Sequence, residues 1–210
     1  DVCSSDLPNL VTDPGNRQLS HRVTFKPLGV NLQTGDNLSV TVTPNWERLD
    51  TDFTLPGKIV LPKGGEYSYT RYNLSVGTAD QRMVSGSASV EAGDFYSGTR
   101  RDLSLVSTLR PWTGISLNLN GQWSRIELTE GSVTTQVLQA KLGTQLSPWI
   151  SLSNNIQYDN QSRGIGWQSR FRWTPSPGND VFLVYSHNWI DPVTGGIYTN
   201  EIGRATSELQ

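Results

Sequence analysis

The densest run of side chains able to do chemistry is Gly93-Asp94-Phe95-Tyr96-Ser97-Gly98-Thr99-Arg100-Arg101-Asp102. Asp94, Arg100, Arg101 and Asp102 could hold an anionic or sugar ligand through charge-assisted hydrogen bonds. The same charges could instead close a hairpin on itself by internal ion pairs. Hydrolytic chemistry has thinner support. Ser20-His21 and Ser186-His187 set a hydroxyl beside an imidazole, but neighbours in a strand point to opposite faces, so neither pair makes a dyad. Glu47, Glu91, Asp94 and Asp102 are of the type that pairs in glycoside hydrolysis, yet carboxylate spacing across strands is not readable from sequence. No catalytic residue is assigned. One cysteine, Cys3, and two histidines give no metal or disulfide framework, and no cofactor is expected.

A second charged set is Arg22, Lys26, Arg71, Glu91, Arg110, Lys141, Asp159, Arg170 and Arg172. Its members share a position: each falls on the polar side of a segment that alternates apolar and polar residues. In Ile115-Ser116-Leu117-Asn118-Leu119-Asn120 the odd positions are apolar; in Leu38-Ser39-Val40-Thr41-Val42-Thr43 the even ones are. Similar runs centre on Leu19–Lys26, Arg71–Val76, Val84–Ala92, Leu103–Arg110, Leu138–Leu146, Ile150–Asp159, Ile165–Trp173 and Val181–Trp189. A two-residue period places alternate side chains on opposite faces of a strand. No stretch repeats apolar residues at helical spacing over a useful length.

About ten alternating strands, one face apolar and one polar, fit a membrane-spanning barrel wall whose polar side faces a wet lumen. The expected fold is therefore all-β, an antiparallel up-and-down transmembrane β-barrel, incomplete and open as a curved sheet. Its outward set includes Leu117, Leu119, Leu152, Ile156, Leu103, Leu105, Val40 and Val42. Its inward set includes Ser116, Asn118, Ser153, Gln157, Ser104, Thr41 and Arg170. The charged set above would line the lumen, where its excess of basic residues could favour anions or where opposite charges could pair across strands.

Connections sort into short turns (Gly35-Asp36-Asn37, Ala79-Asp80-Gln81, Pro111-Trp112-Thr113, Ser147-Pro148-Trp149, Thr174–Asn179) and longer ones (Arg48–Glu66, Gly93–Asp102, Ile126–Ser132, Asn160–Arg163, Asp191–Asn200). Barrels of the bacterial outer membrane have short periplasmic turns and longer extracellular loops. On that basis Trp46, Trp123, Tyr158, Trp167 and Trp189 fall near the outer strand ends, and Trp112, Trp149 and Trp173 near the periplasmic ends. Aromatic rings with a polar edge favour the membrane–water interface, so these eight form two expected girdles, with Phe95 and Tyr96 anchoring a loop beside one of them.

Composition agrees. The 210 residues are 35% hydrophobic, and no run approaches the ~20 apolar residues of a spanning helix. A net charge of −2 gives no electrostatic case for nucleic acid. The expected environment is outer-membrane lipid. A soluble β-sandwich binding module also alternates, but several runs here exceed the ~5–6 residues of its usual strand. A barrel-borne hydrolase acting on glycans is the third alternative.

Several stretches carry a resemblance: Val30-Asn31-Leu32-Gln33-Thr34-Gly35-Asp36, Trp46-Glu47-Arg48-Leu49-Asp50, Tyr69-Thr70-Arg71-Tyr72, Val84-Ser85-Gly86-Ser87, Gly93–Arg101, Gln157-Tyr158-Asp159-Asn160, Gln168–Trp173 and Pro177–Tyr185. In order and spacing, from roughly Pro8 to Trp189, the chain resembles the C-terminal region of a bacterial family of unknown function. Its members usually place a module similar to family-nine carbohydrate-binding modules ahead of an outer-membrane β-barrel. The resemblance implies an outer-membrane location and a polysaccharide or oligosaccharide partner bound through that N-terminal module. It implies no reaction and no catalytic residue.

The termini read differently. Cys3-Ser4-Ser5-Asp6 can be encoded by TGC TCT TCC GAT, and Glu201-Ile202-Gly203-Arg204-Ala205 by GAG ATC GGA AGA GCA. Both strings match a ligation adapter of short-read sequencing, one as the reverse complement of the other. Residues 1–7 and 201–210 are thus read as translated adapter flanking a barrel fragment at 8–200. The same peptides on a homologue in a finished genome would overturn this. A signal peptide is expected for export but none stands at the start, which fits a fragment, and Leu19–Lys26 and Val181–Trp189 are expected not to pair with each other.

Overall fold

Period-two alternation becomes strand along nearly all of the chain that the structure, a computed structural model, describes: residues 4–5, 9–12 and 18–190. The strands are β1 (Ser4–Ser5), β2 (Asn9–Thr12), β3 (Gln18–Arg22), β4 (Phe25–Asn31), β5 (Asn37–Arg48), β6 (Phe53–Leu55), β7 (Ile59–Leu61), β8 (Glu66–Gly77), β9 (Val84–Phe95), β10 (Gly98–Trp112), β11 (Ile115–Leu128), β12 (Gly131–Ser147), β13 (Ile150–Asp159), β14 (Gly164–Ser176) and β15 (Asn179–Ile190). Among the described residues the one helical element is a 3-10 turn at Pro56–Lys58.

Thirteen strands form one sheet in the order β1-β4-β5-β8-β9-β10-β11-β12-β13-β14-β15, with β3 pairing both β2 and β5. From β8 onward every strand lies beside its sequence neighbour. β6 and β7 form a separate hairpin. Among the described residues no ladder joins β15 to β3 or β4, and no closed barrel is formed.

The run read as one strand from Leu19 to Lys26 is broken into β3 and β4, and two prolines are the cause. Val23 donates its N–H to the Pro44 carbonyl (3.2 Å), but Pro44 has no N–H to return, so the ladder lapses at that step. Arg22↔Asn45 before it and Phe25↔Val42 after it are in one register. The register then shifts between Phe25 and Leu28, where Pro27 sits in a bulge.

Loop lengths correct the sequence reading. Gly93–Asp102 and Ile126–Ser132 are not long loops: β9 and β10 leave only Tyr96-Ser97 between them, and β11 and β12 only Thr129-Glu130. Their polar residues lie within strands that run to a tight turn. Arg48–Glu66 is the longer connection expected, and it contains β6 and β7. Strand direction therefore cannot be taken from alternating loop lengths. The connection Asp191–Asn200 and the residues 201–210 lie outside the described residues, and of residues 1–7 only Ser4 and Ser5 are described, opposite Lys26 and Phe25.

The chain divides into two compact units. One comprises Asp1–Ala79, Ser87–Ser104 and Trp123–Thr134; the other comprises Asp80–Gly86, Leu105–Gln122 and Thr135–Gln210. The first holds a small apolar core of Leu49, Leu55, Ile59 and Leu61, with Tyr67, Phe95, Tyr96, Leu128 and Val133 packed against it. Here the faces of β11 change character. Ile126, which is buried, and Leu128 continue the even positions that Asn118 and Asn120 occupy lower down.

Candidate functional site: the polar face of the sheet

In the first unit, paired positions bring Arg22, Asn45 and Tyr69 to one row, and Thr43, Arg71 and Gly93 to another. Paired residues share a face, so this face is polar. Asn45 is buried; it accepts from Arg22 Nε (2.9 Å) and donates to the Thr43 carbonyl (2.8 Å). Glu47 Oε2 accepts from two phenols, Tyr96 (2.9 Å) and Tyr69 (3.2 Å). Tyr96 holds a left-handed backbone, φ 48°, and its ring meets those of Phe95, Tyr67 and Tyr69 at 4.6, 5.1 and 5.4 Å. Burial and then the bond to Glu47 raise the Tyr96 phenol above its usual range.

Arg71 is the centre of the second row. Its guanidinium donates to Glu91 Oε1 (2.8 Å), to the Arg100 carbonyl (2.6 Å) and to Asp102 Oδ2 (2.5 Å). It reaches β10 across β9 because it lies opposite Gly93, which puts no side chain in the way. That position admits little else: Gly93 has φ 151°, and a Cβ there would meet the Thr70 carbonyl oxygen at 2.2 Å. Arg100 Nε bonds both oxygens of Asp102 at 2.9 Å, and its guanidinium lies 5.1 Å from the Phe95 ring centroid.

Of the four residues assigned to ligand binding, Arg100 and Asp102 are thus brought together, bound to each other and to Arg71. Asp94 and Arg101 are exposed and take no part in that network. At the turns, Ser97 donates to Glu130 and, as the first cause, holds that carboxyl below its usual range.

In the second unit, register makes the polar face of β12–β15 a grid. Gln139, Gln157, Gly166 and Asn188 form one row; Lys141, Asn155, Gln168 and Ser186 the next; then Gly143, Ser153, Arg170 and Val184. Arg172 follows between Ser151 and Phe182. Arg170 stacks on the Phe182 ring at 4.3 Å, and Arg172 pairs with Asp180 at 3.0 Å. Asp159 accepts from the Gln161 N–H (2.9 Å) and the Ser162 hydroxyl (3.2 Å). Arg110 donates to the Asp80 carbonyl (2.6 Å). Lys26, in the first unit, is half-buried.

The opposite face of the second unit is aromatic and aliphatic. Ile150, Trp173 and Val181 meet at one end, the end where Trp149 begins the turn into β13. Tyr158, Ile165 and Trp189 meet at the other. Trp167, Tyr185, His187 and Trp189 form a ring cluster, with His187 and Trp189 centroids 4.4 Å apart. Trp112 ends β10 and is exposed. Trp46 and Trp123 belong to the first unit and are half-buried.

The sequence reading missed the Glu47–Tyr69–Tyr96 cluster. Among the described residues no group of His, Cys, Asp and Glu is placed to hold a metal ion. No protein-family model, no curated protein and no solved structure matches the chain.

Proposed function

We propose that this chain is the wall of an outer-membrane β-barrel with a structural or transport role in a carbohydrate-linked surface protein. One observation carries the reading: along β8 and β9 polar side chains are buried while their apolar chain neighbours are exposed. Along β8, Arg71 is 6% exposed while Tyr72, its chain neighbour, is 58% exposed, and Leu74 and Val76 follow on the outside. On β9, Ser85 is 3% exposed beside Val84 at 57%. Of the residues assigned outward, Leu117, Leu119, Leu152, Ile156, Leu103, Leu105, Val40 and Val42, none is buried; of those assigned inward none is buried either, and Gln157 and Arg170 are exposed, so the contrast that supports the reading lies in β8 and β9. A soluble sheet would cover its apolar face; lipid is the solvent in which this face needs no cover.

Dimensions agree with that solvent. β5 and β8 to β15 run from 10 to 17 residues, against the ~9–11 a tilted strand needs to cross. Trp189 lies level with Ile165, eight positions along β14 from Trp173. At about 3.3 Å per residue the two aromatic levels are ~26 Å apart along the strand, or ~20 Å in height at the ~35–45° tilt of barrel strands, of the same order as their ~25 Å apolar band. The reading requires a pairing partner for the far edge of β15, because lipid cannot satisfy unpaired N–H and C=O groups.

The test is refolding into vesicles of phosphatidylethanolamine and phosphatidylglycerol. Flotation with the vesicles, and a band on an unheated SDS gel that shifts on boiling, are the expected results. A chain that stays soluble and monodisperse without detergent would overturn the proposal in favour of the sandwich.

A further inference from the structure

On the polar face of the second unit, β13, β14 and β15 line an open cavity of about 520 Å³, a size suited to small ligands. Its floor exists because two successive polar-face positions of β14 carry no side chain, Gly164 and Gly166. Its walls are primary amides: Asn155, Gln157, Gln168 and Asn188. Among the described residues no lysine or arginine lines it, and the one carboxylate that does, Asp159, is engaged by its own turn. The side-chain oxygen of Asn155 is buried and accepts no hydrogen bond, which costs free energy unless another donor reaches it.

A primary amide both donates and accepts, as a sugar hydroxyl does. A charged ligand would find no counter-charge here, and an apolar one would strand four amides. We infer that this cavity binds a neutral, hydroxyl-rich ligand, an oligosaccharide, held by hydrogen bonds over the glycine floor. The inference rests on the barrel reading for its role, a binding station on the wet side of the wall. The geometry of the cavity itself does not depend on it.

The experiment titrates the full-length chain with maltotriose and reads the heat of binding by calorimetry. The expected response is saturable, insensitive to salt, and absent with glycerol at equal hydroxyl concentration. Gly166→Leu fills the floor and should weaken binding by about tenfold or more, the equivalent of one or two lost hydrogen bonds. The double variant Gln157→Leu, Asn188→Leu leaves the backbone of β14 untouched and should do the same if Gly166→Leu misfolds. Vesicle flotation is scored on the same preparations. A chain that floats but binds no saccharide, or whose variants bind equally well, overturns the inference and leaves the barrel reading standing. Binding by a chain that never floats keeps the cavity and overturns the barrel.

Discussion

The phenol of Tyr96 and the carboxylate of Glu47 lie 2.9 Å apart although 49 residues separate them in the chain. Tyr96 sits in the β9–β10 turn and Glu47 near the end of β5, so this bond fastens a hairpin tip to a strand it does not pair with. The phenol must be neutral to donate, and its folded pKa is raised above the usual 10.0, by burial first and by Glu47 second. The sign follows. A raised pKa means the folded state prefers the protonated form, so the contribution is full below pH 10 and is lost as pH rises above it. Alkaline titration should show at least one tyrosine that resists ionisation until the fold opens. Tyr96→Phe should lower the number that resist by one and cost about 1 kcal/mol at neutral pH. A wild-type chain whose tyrosines all ionise near pH 10 with the fold intact would count against it.

Arg71→Met should destabilise the first unit by about 3 kcal/mol, the low end for breaking a buried pair, because Glu91 is partly exposed and water can screen it. Part of that cost is Glu91 left without its cation, since Asp102 keeps Arg100. Adding Glu91→Gln should therefore recover that part, as read by unfolding midpoints. Equal loss in the single and double variants would show that packing, not charge, is what Arg71 supplies.

Leu74→Arg separates lipid from water as the solvent of the outer face. Leu74 is exposed on β8. Near the centre of a bilayer the change should cost about 2–4 kcal/mol; on a water-exposed surface it should stay within about 0.5 kcal/mol. The measurement is the folded fraction in vesicles against denaturant.

Legibility followed the range of the interaction. Tyr72, Leu74 and Val76 against Arg71, Asn73 and Ser75 is a period-two pattern, and a local period is enough to place a strand and its faces. The Arg71–Asp102 pair is different. It spans β8 to β10 and depends on Gly93 between them, so it needs the register of two ladders at once. The turn Thr129-Glu130 was hidden because polar residues near a strand end look like loop whether or not they pair. Ile126 and Leu128 break the alternation of β11 for a reason that lies outside it: another part of the chain covers that face. The Pro56-Gly57 step between Phe53-Thr54-Leu55 and the apolar, mostly β-branched Ile59-Val60-Leu61 is a turn signal between two short strand-prone runs, and it could have revealed β6 and β7.

That hairpin supplies the last prediction. Leu61 is 0% exposed and lies at the centre of the apolar cluster with Leu49, Leu55 and Ile59. The segment is tied down at its base by Leu49 N–H to the Gly65 carbonyl (3.0 Å), Gly64 N–H to the Leu49 carbonyl (2.7 Å) and Lys63 N–H to Asp52 (2.8 Å). Its interior, by contrast, is held by side-chain packing, since β6 and β7 pair only with each other. Leu61→Ala removes the best-packed side chain and should cost about 2–5 kcal/mol. The loss should be local, because no ladder of the large sheet runs through β7. Proteolysis and amide exchange should therefore rise across residues 49–65 and at the Tyr96 turn, while β13 to β15 keep their protection. Uniform loss of protection along β13 to β15 would mean that this small core holds the whole chain together, not one end of the first unit.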